Sequence, residues 1–385
     1  MTPPRKLFFG ECCEGLFTRR GFLSKALAGG ALVAGAAALP RAAAASQSSW
    51  RPSPRPVYSD DAYTSLVPAA IGGPMIANRH VISLRWLGCS CFELVHRGRV
   101  YLLDAWFDRG PRTRSIGFTD DDVVRAETIF VGHGHFDHIA DAPPIAARTG
   151  ATIVGAPIST GYAASVGTPS SQLQTVKGLG AELLHYDGFT VEPILAHHAV
   201  APSRTNTKGE TVGQALFDAY SAALDPFTPA ETEAFQAMLA RGSFNPLIIT
   251  EGTIAYLFTF DSGYRMIWLD SGGPITAQMR EVMSRIGKTN LAIASYTVQG
   301  IPPLQVPVTM ALVNLFKPDL FLPCHHDEIV LLPFNAVLPD MATEPLRMAI
   351  RDTRPDTRSL APLYRSPVVI NTRTLERHGE QEGRR

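Results

Sequence analysis

One stretch constrains this chain more than any other: Phe130-Val-Gly-His-Gly-His-Phe-Asp-His-Ile-Ala-Asp141. Three histidines and an aspartate, His133, His135, Asp137 and His138, fall within six positions. The apolar, β-branched run Thr128-Ile-Phe-Val131 precedes them and predicts a short buried strand. The polar side chains therefore begin where the strand ends. On an extended chain His133 and His135 share a face, and Asp137 and His138 diverge at the start of the next helix. Imidazole nitrogens and carboxylate oxygens are the usual ligands of zinc and similar ions. One such cluster can serve two neighbouring metals. A polar surface turn is the plain alternative. It would win for a lone histidine, but four ligand-type residues at this spacing argue against it.

The N-terminus reads as separate from the fold. Thr18-Arg-Arg-Gly-Phe-Leu-Ser-Lys25 resembles a twin-arginine export signal. An apolar run from Ala26 to Leu39 follows, and Ala43-Ala44-Ala45 fits a small-x-small cleavage site before Ser46. The apolar run is too short to span a bilayer, which takes about 20 residues. The expectation is a signal peptide over 1–45, handed to the twin-arginine machinery, and a periplasmic or secreted mature chain. Cleavage removes Cys12 and Cys13 and leaves Cys89, Cys91 and Cys324. An odd count argues against a disulfide framework. Charge is balanced, 35 Lys and Arg against 35 Asp and Glu, which gives no sign of a nucleic-acid binder.

Residues 46–78 are rich in Ser, Pro and Arg and read as an extended linker or surface strap. Three strands are expected at 81–87, 91–96 and 100–104, an antiparallel meander with Arg97-Gly98 turning between the last two. A helix over 141–148 and a strand over 151–155 follow. Asp187-Gly188 then signals a hairpin whose second strand runs into His197-His198. Residues 199–247 interrupt the pattern. They contain a helix over 229–240 with Thr228 as its N-cap and Phe227, Phe235, Met238 and Leu239 as an apolar stripe. This insertion is either a surface ornament or a lid or dimerisation element over the site. Regular structure resumes at 247–250, 254–260 and 265–270, then a helix over 275–286 and a strand over 291–295. Next come a helix over 308–316, a strand over 320–324 and a helix over 344–348. A strand over 367–370 closes the domain, and 373–385 reads as a frayed tail. Seven of the eleven histidines fall at 133–138, 197–198 and 325–326, each group following an apolar strand.

His133-x-His135-x-Asp137-His138 resembles the metal motif of the metallo-β-lactamase superfamily. Trp86-Leu-Gly-Cys-Ser-Cys-Phe92, with Leu102-Leu-Asp-Ala-Trp106, resembles the branch of ascorbate-6-phosphate lactonase-like and N-acyl-phosphatidylethanolamine phospholipase D-like proteins. Members of that branch often carry His-Ala-Ser where this chain has Cys89-Ser90-Cys91. The resemblance implies an α/β fold, a four-layer αββα sandwich over 79–372 with 199–247 as a helical insertion. It also implies a dinuclear site. His133, His135 and His198 would hold one ion; Asp137, His138 and His325 the other; Asp270, in Leu269-Asp-Ser-Gly-Gly273, would bridge them. His197 is the alternative to His198, and Asp104 would support the metal loop. No cysteine ligand is expected.

Such a site implies a hydrolase in which a metal-bridging hydroxide attacks an ester, lactone, amide or phosphodiester bond of a small-molecule or lipid-like substrate. Asp137 would hold the hydroxide and move its proton. His326, His197 and Tyr296 are candidates for stabilising an oxyanion or leaving group. Two divalent ions are expected, zinc first, with manganese or iron as alternatives. An iron-dependent redox enzyme and a non-catalytic metal-holding binding protein are the competing readings. Oligomeric state is not legible.

Overall fold

A computed structural model describes residues 55–180, 182–199, 227–296, 302–327 and 339–378. The expected signal peptide, the start of the linker and residues 200–226 of the insertion lie outside the described residues.

The first half of the fold is a mixed sheet. Strands β1 (Val81–Trp86), β2 (Phe92–His96) and β3 (Arg99–Leu103) form the expected meander. Arg97 and Gly98 turn between the last two, both at positive φ. Then β4 (Thr128–Phe130), β5 (Thr152–Gly155) and β6 (Leu173–Thr175) add in parallel. Their crossovers carry a one-turn helix α1 (Phe136–Ile139), α2 (Ala142–Thr149) and α3 (Pro157–Ser165).

A second sheet repeats this order. Strands β7 (Leu184–Tyr186), β8 (Phe189–Ala196), β9 (Thr253–Phe260) and β10 (Arg265–Leu269) are antiparallel. Helix α4 (Pro229–Leu239) lies between β8 and β9 in sequence. Beyond β10, β11 (Leu291–Ser295), β12 (Leu320–Cys324) and β13 (Arg358–Ser359) continue in parallel. Their crossovers are α5 (Ala277–Ile286), α6 (Pro302–Phe316) and α7 (Pro339–Thr353). The chain then returns to the first sheet, where β14 (Pro367–Asn371) pairs with β1 and β15 (Arg377–His378) pairs with β14.

Strand alternation sorts the side chains into layers. Leu84, Leu94, Tyr101, Leu103 and Phe130 face Tyr256, Phe258, Trp268 and Ile293 between the sheets. Leu102, Ile129 and Ile153 point outward and pack against Ile139, Ile145 and Ala163 of the helices. On the far side Leu257, Ile267 and Ala292 meet Met279, Val282, Leu312 and Leu346. Each buried Leu, Ile or Phe contributes about 1.5–3 kcal/mol. The layers are therefore helix, sheet, sheet, helix.

Several expectations change. Residues 46–78 are not all linker. Ala62, Ala69, Ala70 and Met75 are buried, and two 3-10 turns, Asp60–Tyr63 and Ala69–Ile71, cap the outer face of β1 and β2. A buried pair holds them there: Arg85 donates to Glu93 at 2.9 Å and to the Ala62 carbonyl, while Glu93 accepts from Ala70 N–H. The expected strand at 247–250 is a 3-10 turn over Pro246–Ile248. Helix α6 starts at Pro302, not 308, because Pro302 and Pro303 stand in a first turn whose N–H groups need no helical partner. Pro307 lies inside the helix, where it removes one backbone bond and crowds the carbonyl four residues before it. Helix α7 likewise runs through Pro345 and extends the expected 344–348 at both ends. The tail expected from 373 is still part of the sheet at Arg377–His378.

Candidate metal centre

The loop after β4 is pinned from both sheets. Gly132 N–H donates to Asp104 Oδ1 at 2.9 Å, and its carbonyl accepts from Ile254 N–H of β9. A Cβ on Gly132 would fall about 2.0 Å from the Asp270 carboxylate, so only glycine fits. Asp270 follows β10, and its fully buried carboxylate occupies that space.

Three groups of ligand-type atoms, all buried except half-buried His198, converge here, each with its atoms within 4.8 Å of one another. The first is His133, His135 and His198, with His133 Nε2 2.9 Å from His135 Nδ1. The second is His133, His138 and Asp270. Asp270 Oδ2 lies 2.6 Å from His133 Nδ1 and 3.3 Å from His138 Nδ1. The third is Asp137, His138, His325 and Cys89. His138 Nε2 and His325 Nε2 lie 3.2 and 3.3 Å from Asp137 Oδ2. All seven residues expected as ligands thus stand in these groups, and His197 joins none of them. His198 Nδ1 lies 2.7 Å from the Ala199 carbonyl, a bond that leaves Nε2 as the lone pair.

Asp104 supports this arrangement from behind. Its Oδ2 accepts from Ser90 Oγ at 2.5 Å and lies 2.6 Å from His138 Nδ1. That contact fixes the ring and leaves Nε2 toward Asp137. Asp104, Cys89 and His325 are all non-glycine residues at positive φ, so the backbone is strained at three points around the site. Hydrogen bonds hold the strain. His325 N–H donates to the Cys89 carbonyl at 2.7 Å, and Cys89 N–H donates to Asp327. Asp327 is gripped by Arg109 at 2.7 Å and by the Tyr364 hydroxyl at 2.5 Å.

Electrostatics suit a cation. Burial, and then the neighbouring histidines, push His133 and His135 well below the usual histidine range, so their nitrogens are lone-pair donors at neutral pH. Burial would raise Asp137, but His138 and His325 outweigh it and hold it well below the usual carboxylate range. Burial would lower His138, but Asp137, Asp104 and Asp270 outweigh it and push it well up. Burial raises Asp104 to about 7 despite His138. Three carboxylates share this buried space, and Asp270 Oδ1 and His325 Nδ1 have no partner there. Buried polar atoms are normally paired, and a dication would use such atoms and balance such charge. The donor set therefore fits divalent metal.

Other expected participants stand apart from the three groups. His326 stacks on Trp86 with centroids 4.4 Å apart, and burial lowers it to about 4. Tyr296 is buried with its hydroxyl unpartnered, and burial raises it to about 12. Sequence reasoning missed three features. Cys89 belongs to the third group, contrary to the expectation of no cysteine ligand; the only signal was its place where similar proteins often carry histidine. The Asp327–Arg109–Tyr364 brace gave no signal, because its members are distant in sequence. The end of the insertion also reaches the metal loop. Ser243 N–H donates to the Gly134 carbonyl at 2.7 Å, and Phe244 stacks on His135 at 5.5 Å.

Known proteins share parts of this chain. A sequence profile described as the β-lactamase superfamily domain matches residues 99–242. A UPF0173 metal-dependent hydrolase of Roseiflexus sp. (strain RS-1) is 39% identical over 100 residues, 24% of this chain and 38% of the relative. One from Agrobacterium fabrum is 28% identical over 138 residues, 35% of this chain and 55% of the relative. The chain thus matches about half the length of these relatives, or less. Among solved structures, a metallo hydrolase of the archaeon Ignicoccus hospitalis has a TM-score of 0.49 at 14% identity, covering 75% of this chain and 98% of the other. An isothiocyanate hydrolase from Delia radicum gut bacteria has a TM-score of 0.47 at 11% identity, covering 75% and 99%. At such scores neither carries an argument about chemistry. The profile match and the two mixed sheets with outer helices make this the metallo-β-lactamase sandwich.

Proposed function

We propose that this chain is an exported hydrolase working with two divalent metal ions on an ester, lactone, amide or phosphodiester bond. The convergence of buried His, Asp and Cys ligand atoms at the strand ends carries the reading. The names of the matched relatives agree with it, and the twin-arginine-like N-terminus supports export.

His133, His135 and His198 would hold one ion. Asp137, His138 and His325 would hold the other, and the Asp270 carboxylate, against His133 and His138, would balance the added charge. Two bound dications supply Lewis-acid polarisation of the substrate and a water acidic enough to ionise near neutral pH. The chain's own residues do the rest. Asp104 keeps His138 oriented through Nδ1. Asp137 stays ionised and can take a proton at a carboxylate oxygen. Tyr296 stays protonated at neutral pH, so its hydroxyl keeps a proton to donate. Phe244, against His135, keeps one side of the site apolar.

The test is metal analysis of the purified chain together with a panel of ester, lactone, amide and phosphodiester substrates. About two transition-metal ions per chain, and hydrolysis lost in His135→Ala by at least about 100-fold, are expected for loss of a ligand to a two-metal centre. Less than one ion per chain, or full activity in His135→Ala, would overturn the reading.

A further inference from the structure

We propose that Cys89 is a ligand of the second metal position, making it a mixed Cys89, Asp137, His138, His325 site. This rests on the metal-centre reading above and goes beyond the all-nitrogen-and-oxygen set expected from the sequence.

Three different donors point at one oxygen, Asp137 Oδ2: His138 Nε2 at 3.2 Å, His325 Nε2 at 3.3 Å and Cys89 Sγ at 3.9 Å. As hydrogen bonds these are poor. A charged imidazole on a carboxylate closes to about 2.7–2.9 Å. As edges of a coordination tetrahedron they are close to ideal. With metal–nitrogen and metal–oxygen bonds of about 2.0–2.1 Å, two ligands on one ion lie about 3.3 Å apart, and a metal–sulfur bond of about 2.3 Å lengthens the S···O edge to about 3.5 Å. The two N···O separations match. The sulfur needs to move by only a few tenths of an ångström.

The scaffold holds the thiol there. Cys89 and His325 come from opposite sheets, yet His325 N–H bonds the Cys89 carbonyl and Asp327 takes the Cys89 N–H. Cys89 and His325 are therefore carried on one hydrogen-bonded unit, each at positive φ. Four side chains would fill a tetrahedral ion. A substrate or water would then need a fifth position, as catalytic zinc allows. As the ion binds, the S–H bond breaks, the sulfur keeps the electron pair and the proton leaves to solvent. No electron transfer is involved. A thiolate biases this position toward zinc and away from manganese or magnesium, which prefer oxygen.

Cobalt(II) substitution reads this directly. The cobalt-loaded wild-type chain is expected to show an intense near-ultraviolet sulfur-to-cobalt charge-transfer band beside its ligand-field bands. The band should vanish in Cys89→Ser, with affinity for the second ion falling by at least about 100-fold. It should persist in a chain carrying Cys12→Ala, Cys13→Ala, Cys91→Ala and Cys324→Ala, where Cys89 is the only thiol. That chain keeps the question answerable if Cys89→Ser does not fold. Cobalt bound with ligand-field bands but no sulfur band overturns this inference and leaves the metal centre standing. A band that survives Cys89→Ser, or that is lost when the other cysteines are removed, also overturns it. No tight cobalt binding at all defeats the metal-centre reading and this inference with it.

Discussion

Asp327 shows how single residues set this site. It belongs to none of the three ligand groups, yet it accepts the N–H of Cys89 and is itself gripped by Arg109 and Tyr364. Arg109 and Asp327 are both nearly inaccessible to solvent, and Arg109 also lies over the Trp106 ring. Removing one partner of such a pair leaves a buried charge, which costs about 3–5 kcal/mol. Asp327→Asn is therefore expected to lower the urea-unfolding free energy by about that much at pH 7. Burial alone would raise the Asp327 carboxyl; Arg109 and Tyr364 outweigh burial and hold it below its ordinary 3.8. The folded state thus favours the ionised form. Its contribution is present above about pH 4 and is lost as pH falls through the depressed value. The gap between wild type and Asp327→Asn should narrow below pH 4; a gap that stays constant there would refute the assignment. This residue also marks a limit of sequence reading. His133, His135, Asp137 and His138 announce themselves by spacing. Asp327 meets Cys89 only because two sheets bring residues 238 positions apart together.

At the scale of elements, the turn after α4 is the informative piece. The helix itself was readable: Thr228 caps it, Glu231 completes a capping box, and Met238 is buried. What it packs on was not, because an apolar stripe says that a face is covered and not by what. The structure shows that α4 leads into residues 242–244, which lie directly on the metal loop. A Cβ at Gly242 would fall 2.3 Å from Phe136 N and 2.8 Å from the His135 carbonyl carbon. Those atoms are backbone and cannot swing aside, so Gly242→Ala must push the loop that carries His135. Overpacking of this kind costs about 1–3 kcal/mol. Gly242→Ala should melt lower and release metal to a chelator faster. Gly161→Ala, in α3 with nothing within 4 Å, is the control and should be neutral or slightly stabilising. Equal behaviour of the two variants would show that the insertion does not bear on the metal loop. The failed strand at 247–250 has a related cause. Pro246 and the Asn245 side chain, which accepts from Leu247 N–H, close a 3-10 turn that the apolar run conceals.

For the whole molecule, the alternation of apolar runs with turns was enough to find most strands and helices, because each strand carries its own period. The two-sheet sandwich with outer helices was implied by the resemblance and not by the periods, and the strand order is known from the structure. The site depends on both sheets. His133, His135, Asp137 and His138 follow β4 in the first sheet, whereas His198, Asp270 and His325 follow β8, β10 and β12 in the second. Bound metal would therefore cross-link the two halves at one end of the interface between them. An ion that binds only the folded chain stabilises it by about 2.7 kcal/mol at 100 times its dissociation constant. For a domain of this size each kcal/mol is worth about 2–4 °C in melting temperature. Stripping the metals should lower the melting temperature by at least about 5 °C, and adding zinc back should restore it. The effect has a pH sign. Protons compete with metal for every ligand, so the difference should shrink as pH falls. Hydrogen exchange supplies the spatial check: loss of protection on stripping should appear together in the loops after β4, β8, β10 and β12. A melting temperature that does not change when the metals are verifiably gone would mean that the sheets hold each other without them, and that the cross-link across the interface contributes nothing to the fold.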